Sequence, residues 1–219
     1  MSSKIEIIEG GIFEEVAPSV FEADMLSAEI CEDILSEFSG IQPWKQAKIA
    51  VSQKTESGIN DIIGIIDITQ RNSQRMRFRE LDMLTKPKTS ECLNRIQRQV
   101  SRFASQEFGL DFNEFGGEEI VRYPVGGVFT PHTDTHKGNS QRAFTVIIYL
   151  NDNFSDGETS FPDLDYKCSP KTGRVLLFLS TELHSGLPVA AGEKNIIVFW
   201  GFFPGSMDKD RISNFFKAD

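Results

Sequence analysis

A chain of 219 residues with 39% hydrophobic and 25% charged side chains can build one domain with a substantial core, so neither disulfides nor a metal is needed merely to hold it together. Its net charge of −9 opposes a general nucleic-acid binder or a protein lying on anionic membranes, since either needs a basic face. The three cysteines, Cys31, Cys92 and Cys168, are far apart and match no zinc spacing, so they read as free thiols in a reducing, cytoplasmic setting.

Taken in chain order, the first ten residues lack an apolar run of signal-peptide type, and no later stretch approaches the roughly 20 apolar residues of a membrane span. Leu26 to Phe38 reads as a helix, with Ser27 as N-cap, acidic residues after it and Gly40 just past the end. Arg71, Arg75, Arg77, Arg79, Lys86 and Lys88 form a local basic run. It reads as a solvated loop or edge strand, or as a contact for an acidic substrate or partner. A second helix spans about Ser90 to Phe108. Leu93, Ile96, Val100 and Phe103 recur there at steps of three and four, and Gly109 stops it.

After Gly117 the texture changes to short strand-like runs between turn residues: Glu119–Tyr123, Ala143–Leu150, Arg174–Leu179 and Asn195–Phe203. Ala143–Leu150 and Asn195–Trp200 are almost wholly apolar, as suits strands covered on both faces. The 18 phenylalanines also favour pleated, half-buried strands. The expected fold is α+β and β-rich, a sandwich or barrel with N-terminal helices outside. No repeat or linker interrupts the chain. A single domain over 1–219 is expected, with mixed helical support over 1–117, a catalytic β core over 118–204 and a tail over 205–219.

The chain has three histidines, His132, His136 and His184. His132 and Asp134 are two apart, and on an extended segment such residues point to one side. A further histidine from a neighbouring strand completes a two-His-one-carboxylate face with open coordination positions, the arrangement of non-haem iron(II) oxygenases. Taken singly, an H-x-D tripeptide reads as a surface turn and a lone histidine as a structural residue. His136 shares the parity of the pair and is a minor rival to His132, but reads as a loop residue. The polar loop Thr135–Gln141 that contains it reads as a mobile cover over the site.

The flanking residues add specificity. Tyr123, Gly126-Gly127 and Phe129 precede His132-Thr133-Asp134. Arg142 and Thr145 lead to Tyr149-Leu150-Asn151, followed by Asp156-Gly157-Glu158-Thr159, Phe161-Pro162, Pro170 and Gly173. His184-Ser185-Gly186-Leu187-Pro188-Val189, Gly192-Glu193-Lys194 and Ile196 to Trp200 complete the set. Over roughly Glu118 to Phe203 this order resembles the prolyl 4-hydroxylase-like branch of the iron(II)/2-oxoglutarate dioxygenases. The resemblance implies a double-stranded β-helix, or jelly-roll-like, core. It implies iron(II) held by His132, Asp134 and His184, with 2-oxoglutarate and O2 as co-substrates and ascorbate as a possible reductant. It further implies that Lys194, ten positions after His184, holds the remote carboxylate of 2-oxoglutarate. Tyr123 and Tyr149 match tyrosines that contact the co-substrate, though each also reads as a core residue. Trp200 reads equally as a site-lining aromatic or as core packing. Asp134 sets the chain apart from related halogenases, which carry a small residue there.

The activity so implied is hydroxylation of an unactivated C–H bond, with a prolyl residue of a peptide or protein, or a free amino acid, as the leading substrate. The alternatives are demethylation or desaturation at the same iron, or a non-catalytic metal-binding β-barrel sensor. No nucleic-acid or membrane partner is expected, and oligomeric state is not legible.

Overall fold

The computed structural model describes residues 11–42, 44–54, 60–135 and 141–206. Strands β1 (Glu14–Ala17) and β2 (Val20–Asp24) form a hairpin ahead of helix α1 (Ala28–Glu37). Ser27 caps α1 as expected, its hydroxyl accepting the Ile30 N–H at 3.3 Å. Next come β3 (Lys45–Gln46), a separate hairpin of β4 (Ile49–Lys54) and β5 (Asn60–Ile65), and β6 (Gln74–Arg77).

Helix α2 (Pro87–Phe108) begins one turn before the expected Ser90. Pro87 supplies a helical φ where a missing N–H costs nothing. The Glu37 carboxylate then accepts the N–H groups of Lys88 and Thr89 at 2.9 and 3.0 Å, a cap that comes from α1 and not from the local sequence. Gly109, at φ 69°, ends the helix.

The remaining strands are β7 (Phe115–Tyr123), β8 (Phe129–His132), β9 (Arg142–Tyr149), β10 (Ser155–Asp156), β11 (Thr159–Phe161) and β12 (Tyr166–Cys168), then β13 (Arg174–Leu179), β14 (His184–Gly186), β15 (Val189–Ala191) and β16 (Lys194–Phe202). Eight of the strands form one antiparallel sheet in the order β1-β2-β13-β9-β16-β7-β6-β3. A smaller sheet, β12-β11-β14-β8, packs on it, and β10 pairs with β15. This is the double-stranded β-helix with helices outside. The large sheet draws four strands, β1, β2, β3 and β6, from the half of the chain expected to be mixed helical support.

Alternation along each strand sorts the core into two layers. Phe144, Val146, Ile148, Ile120, Ile197 and Phe199 face α1 and α2. Val121, Tyr123, Ile147, Tyr149, Ile196, Val198 and Trp200 face the small sheet, where Phe161 and Cys168 meet them. All three cysteines are buried and free. Among the described residues no helix is long and apolar enough to cross a membrane.

Candidate metal centre

His132 ends β8 and His184 begins β14, and the two are direct partners across these antiparallel strands. Their ring centroids are 4.3 Å apart. Asp134 completes the cluster: its Oδ1 lies 3.8 Å from His132 Nε2 and its Oδ2 3.7 Å from His184 Nε2. Among the described residues this is the one group of three with metal-ligating side chains so close together.

Asp134 does not lie on an extended strand with His132, as the i, i+2 spacing suggested. β8 stops at His132, and the chain bends so that the Ser180 carbonyl accepts the N–H groups of Asp134 and Thr135 at 3.0 and 3.2 Å. The carboxylate reaches the histidines by this bend instead of by strand pleat.

Both imidazoles are oriented from behind. His132 Nδ1 lies 2.8 Å from the Thr130 carbonyl, and His184 Nδ1 lies 3.0 Å from that of Glu182. A carbonyl only accepts, so each Nδ1 carries the proton and each Nε2 presents its lone pair to the cluster. Phe129 stacks on His132 at 3.5 Å, and Phe178 meets His184 edge-on at 4.6 Å. Burial and the neighbouring His184 push His132 down to about 4, so at neutral pH it is uncharged and able to ligate.

The Asp134 carboxylate is equally constrained. Its Oδ2 accepts the Thr145 hydroxyl at 2.7 Å and the Trp200 indole N–H at 3.0 Å. Burial alone would raise its pKa, but His184, His132, Arg142 and the Thr145 hydroxyl hold it well below the usual carboxylate range. Arg142 lies over the Trp200 ring at 3.6 Å and donates to the Asp134 carbonyl at 3.3 Å. Trp200 is therefore more than core packing. Gly117, at φ 74°, passes beneath the indole, where a Cβ would come within 2.6 Å of the ring.

Lys194 opens β16 opposite Tyr123 on β7 and is 2% exposed. Its Nζ donates to the Gly157 carbonyl at 2.7 Å and lies 5.3 and 5.4 Å from the Tyr123 and Tyr149 ring centres. No carboxylate pairs with it at contact distance among the described residues, and burial pushes it down to about 8. A buried ammonium without a counter-ion is costly. The Tyr149 hydroxyl lies 2.7 Å from Thr159 Oγ1. The Tyr123 ring, beside Lys194, also reaches β14 at Gly186, two residues past His184.

The basic run divides. Arg75 and Arg71 bind the buried Glu119 carboxylate at 2.7 and 3.4 Å, with Arg77 at 4.0 Å, and Arg71 also lies 4.4 Å over Phe129. Lys86 is buried at the start of α2, and Lys88 pairs with Asp33 at 3.0 Å. Arg79 is the one member of the run that is exposed, so a solvated face describes little of it. His136 and the loop expected to cover the site lie, for 136–140, outside the described residues.

The site is thus a two-histidine-one-carboxylate cluster between two β-sheets, with a buried cation on the same face of the large sheet. Residues 119–202 match the family model of the 2OG-Fe(II) oxygenase superfamily. A putative prolyl 4-hydroxylase of Acanthamoeba polyphaga mimivirus is 32% identical over 162 residues, 64% of this chain and 62% of that one. Probable prolyl 4-hydroxylase 9 of Arabidopsis thaliana is 30% identical over 141 residues, 50% of this chain and 47% of that one. The chain therefore spans less than two thirds of the length of these relatives. Among solved structures, the viral collagen prolyl hydroxylase of Paramecium bursaria Chlorella virus-1, in complex with 2OG, superposes with a TM-score of 0.58 at 23% identity, covering 84% of this chain and 95% of that one. A Pseudomonas putida prolyl-4-hydroxylase superposes with a TM-score of 0.63 at 18% identity, covering 85% and 94%. At these identities the two structures speak to the fold.

Proposed function

We propose that the chain is an iron(II)- and 2-oxoglutarate-dependent hydroxylase acting on a prolyl residue of a peptide. The observation that carries this reading is the placing, between the same two sheets, of an oriented His-Asp-His cluster and a buried ammonium that lacks a carboxylate partner at contact distance among the described residues. A 2-oxoglutarate molecule has two carboxylates, and Lys194 fits the remote one as counter-ion and donor. The donor set fits iron(II): two neutral imidazole nitrogens and one carboxylate oxygen, with positions left open.

When bound, iron(II) with 2-oxoglutarate and O2 supplies the oxidising power to hydroxylate an unactivated C–H bond, releasing succinate and carbon dioxide. The chain's own contribution is positional. Thr130 and Glu182 fix the histidine tautomers, while Thr145 and Trp200 fix the carboxylate. Lys194, with Tyr149 and Tyr123 beside it, anchors the co-substrate. Val121, Ile147, Phe161, Phe178 and Val198 form the buried apolar layer beside these groups and exclude water from it. The prolyl substrate is supported by the names of the curated relatives.

The test is succinate formation with iron, ascorbate and 2-oxoglutarate against three panels: proline-containing peptides, free amino acids and methylated oligonucleotides. Mass spectrometry reads products heavier by one oxygen atom. A product confined to the proline peptides is expected. A product only from oligonucleotides overturns the substrate, and no substrate-dependent succinate with any panel overturns the hydroxylase reading.

A further inference from the structure

The metal-facing layer of the large sheet continues beyond the His-Asp-His cluster. Directly paired residues of neighbouring strands point to one side, and the register Val198↔Glu119↔Arg77 carries that layer from β16 across β7 to β6. Val121↔Arg75↔Lys45 carries it on to β3, the sheet's edge. With strands about 4.8 Å apart, β6 and β3 lie about 10 and 14 Å from β16. The last two strands hold a cleft of about 160 Å³ lined by Lys45, Gln46, Lys48, Arg75, Arg77 and Glu80.

The cleft is strongly basic in a chain of net charge −9. Among the described lining residues are four cations and one carboxylate, that of Glu80, which takes Lys45 at 2.8 Å and Arg77 at 3.7 Å. Behind it, the single carboxylate of Glu119 is shared by Arg71, Arg75 and Arg77. The Nε of Arg75 is buried without a hydrogen-bond acceptor among the described residues. A buried donor left unmade is costly, so the arginine cluster behind the cleft is not neutralised by the carboxylates of Glu119 and Glu80. The volume suits one acidic side chain and not a length of chain.

From this geometry we infer that the β3–β6 cleft is a specificity subsite for an acidic side chain of the peptide substrate, three or four residues from the residue that is hydroxylated. The inference rests on the proposed peptide hydroxylase activity and adds the substrate's charge pattern to it. The spacing follows from length: an extended peptide advances about 3.3 Å per residue, so three or four residues span the 10 to 14 Å between β16 and the cleft. The cleft is already ordered by Glu119 and Glu80, so little side-chain entropy is lost on binding. A long-range steering field would favour any anion. A pocket at fixed distance favours one position in the peptide.

The experiment uses the full chain and fluorescein-labelled twelve-residue peptides of Ser and Gly with one central Pro. A single Glu is moved through each position on both sides, and a Gln series serves as control. Fluorescence anisotropy reads binding with 2-oxoglutarate and Mn(II) present, and mass spectrometry reads oxygen insertion with iron(II). Expected is at least tenfold tighter binding for Glu over Gln at three or four residues from Pro on one side, and near equality elsewhere. Lys45→Ser, a largely exposed position, should reduce that preference, and its melting temperature controls for folding. Equal affinity for Glu and Gln at every position, no binding by any peptide, or tighter binding of a labelled single-stranded oligonucleotide overturns the subsite. Hydroxylation without Glu dependence defeats the subsite alone. Glu-dependent binding without oxygen insertion in any peptide supports the subsite and defeats the hydroxylase reading.

Discussion

The two faces of the large sheet are built from the same strands and do opposite work. The face against α1 and α2 is closed and apolar: Phe144, Val146, Ile148, Ile197 and Phe199 fill it. The opposite face carries Thr145 and Trp200 behind Asp134, then Lys194, and finally Glu119 with its arginines. Period-two alternation lets a strand such as β16 hold the fold with Ile197 and Phe199 while Lys194 and Trp200 serve the cavity. Polar groups are tolerated on the second face because each buried one has a partner or awaits a ligand.

This division can be broken most severely at Asp134. Asp134→Ala should abolish tight iron(II) binding and turnover while the fold survives, whereas His136→Ala should keep both. Metal content by mass spectrometry after dialysis checks this, and stoichiometric iron in Asp134→Ala would defeat the assignment. Lys194→Ala should weaken 2-oxoglutarate binding by about 3–5 kcal/mol, because a carboxylate is left buried without its partner. Calorimetric titration with metal content monitored separates the role of the lysine from that of the metal ligands. Unchanged 2-oxoglutarate affinity would refute the lysine's role.

Trp200→Phe keeps the packing but removes one of two donors to Asp134. It should cost about 10–100-fold in metal affinity. The pH dependence should be milder. Lys194, pushed down to about 8 by burial, must be protonated to hold a carboxylate. Affinity for 2-oxoglutarate should therefore be level below about 8 and fall by up to about tenfold per pH unit above it. A level profile to pH 9.5 would count against the lysine as anchor. At the quiet end, Ile148→Ala on the helix-facing layer should cost about 2–5 kcal/mol of stability in denaturant unfolding and leave metal stoichiometry and the 2-oxoglutarate Michaelis constant unchanged.

Legibility in the sequence followed the range of the interactions. Ser27 and Gly109 act within one turn of their own helices and could be read directly. Lys194 could be placed because its distance from His184 within the resemblance is fixed. The arginines could not, because Arg75 finds Glu119 across 44 positions and a charge run read alone resembles a solvated face. The bend at Asp134 depends on the Ser180 carbonyl, from an element that the spacing of His132 and Asp134 does not reveal. Trp200 did leave a signal, since it shares the parity of Lys194, Ile196 and Val198 and so lies on the cavity face.

The same tryptophan gives the molecule a built-in optical gauge. There are two tryptophans in the chain, and Trp44 lies with Arg122 at 4.3 Å, its ring against the helix-facing layer, away from the cavity. Trp200 is hydrogen-bonded to Asp134 itself. A paramagnetic ion arriving at that carboxylate would quench the emission of one indole and spare the other. In a Trp44→Phe background the intrinsic fluorescence becomes a direct readout of metal occupancy, without label or substrate.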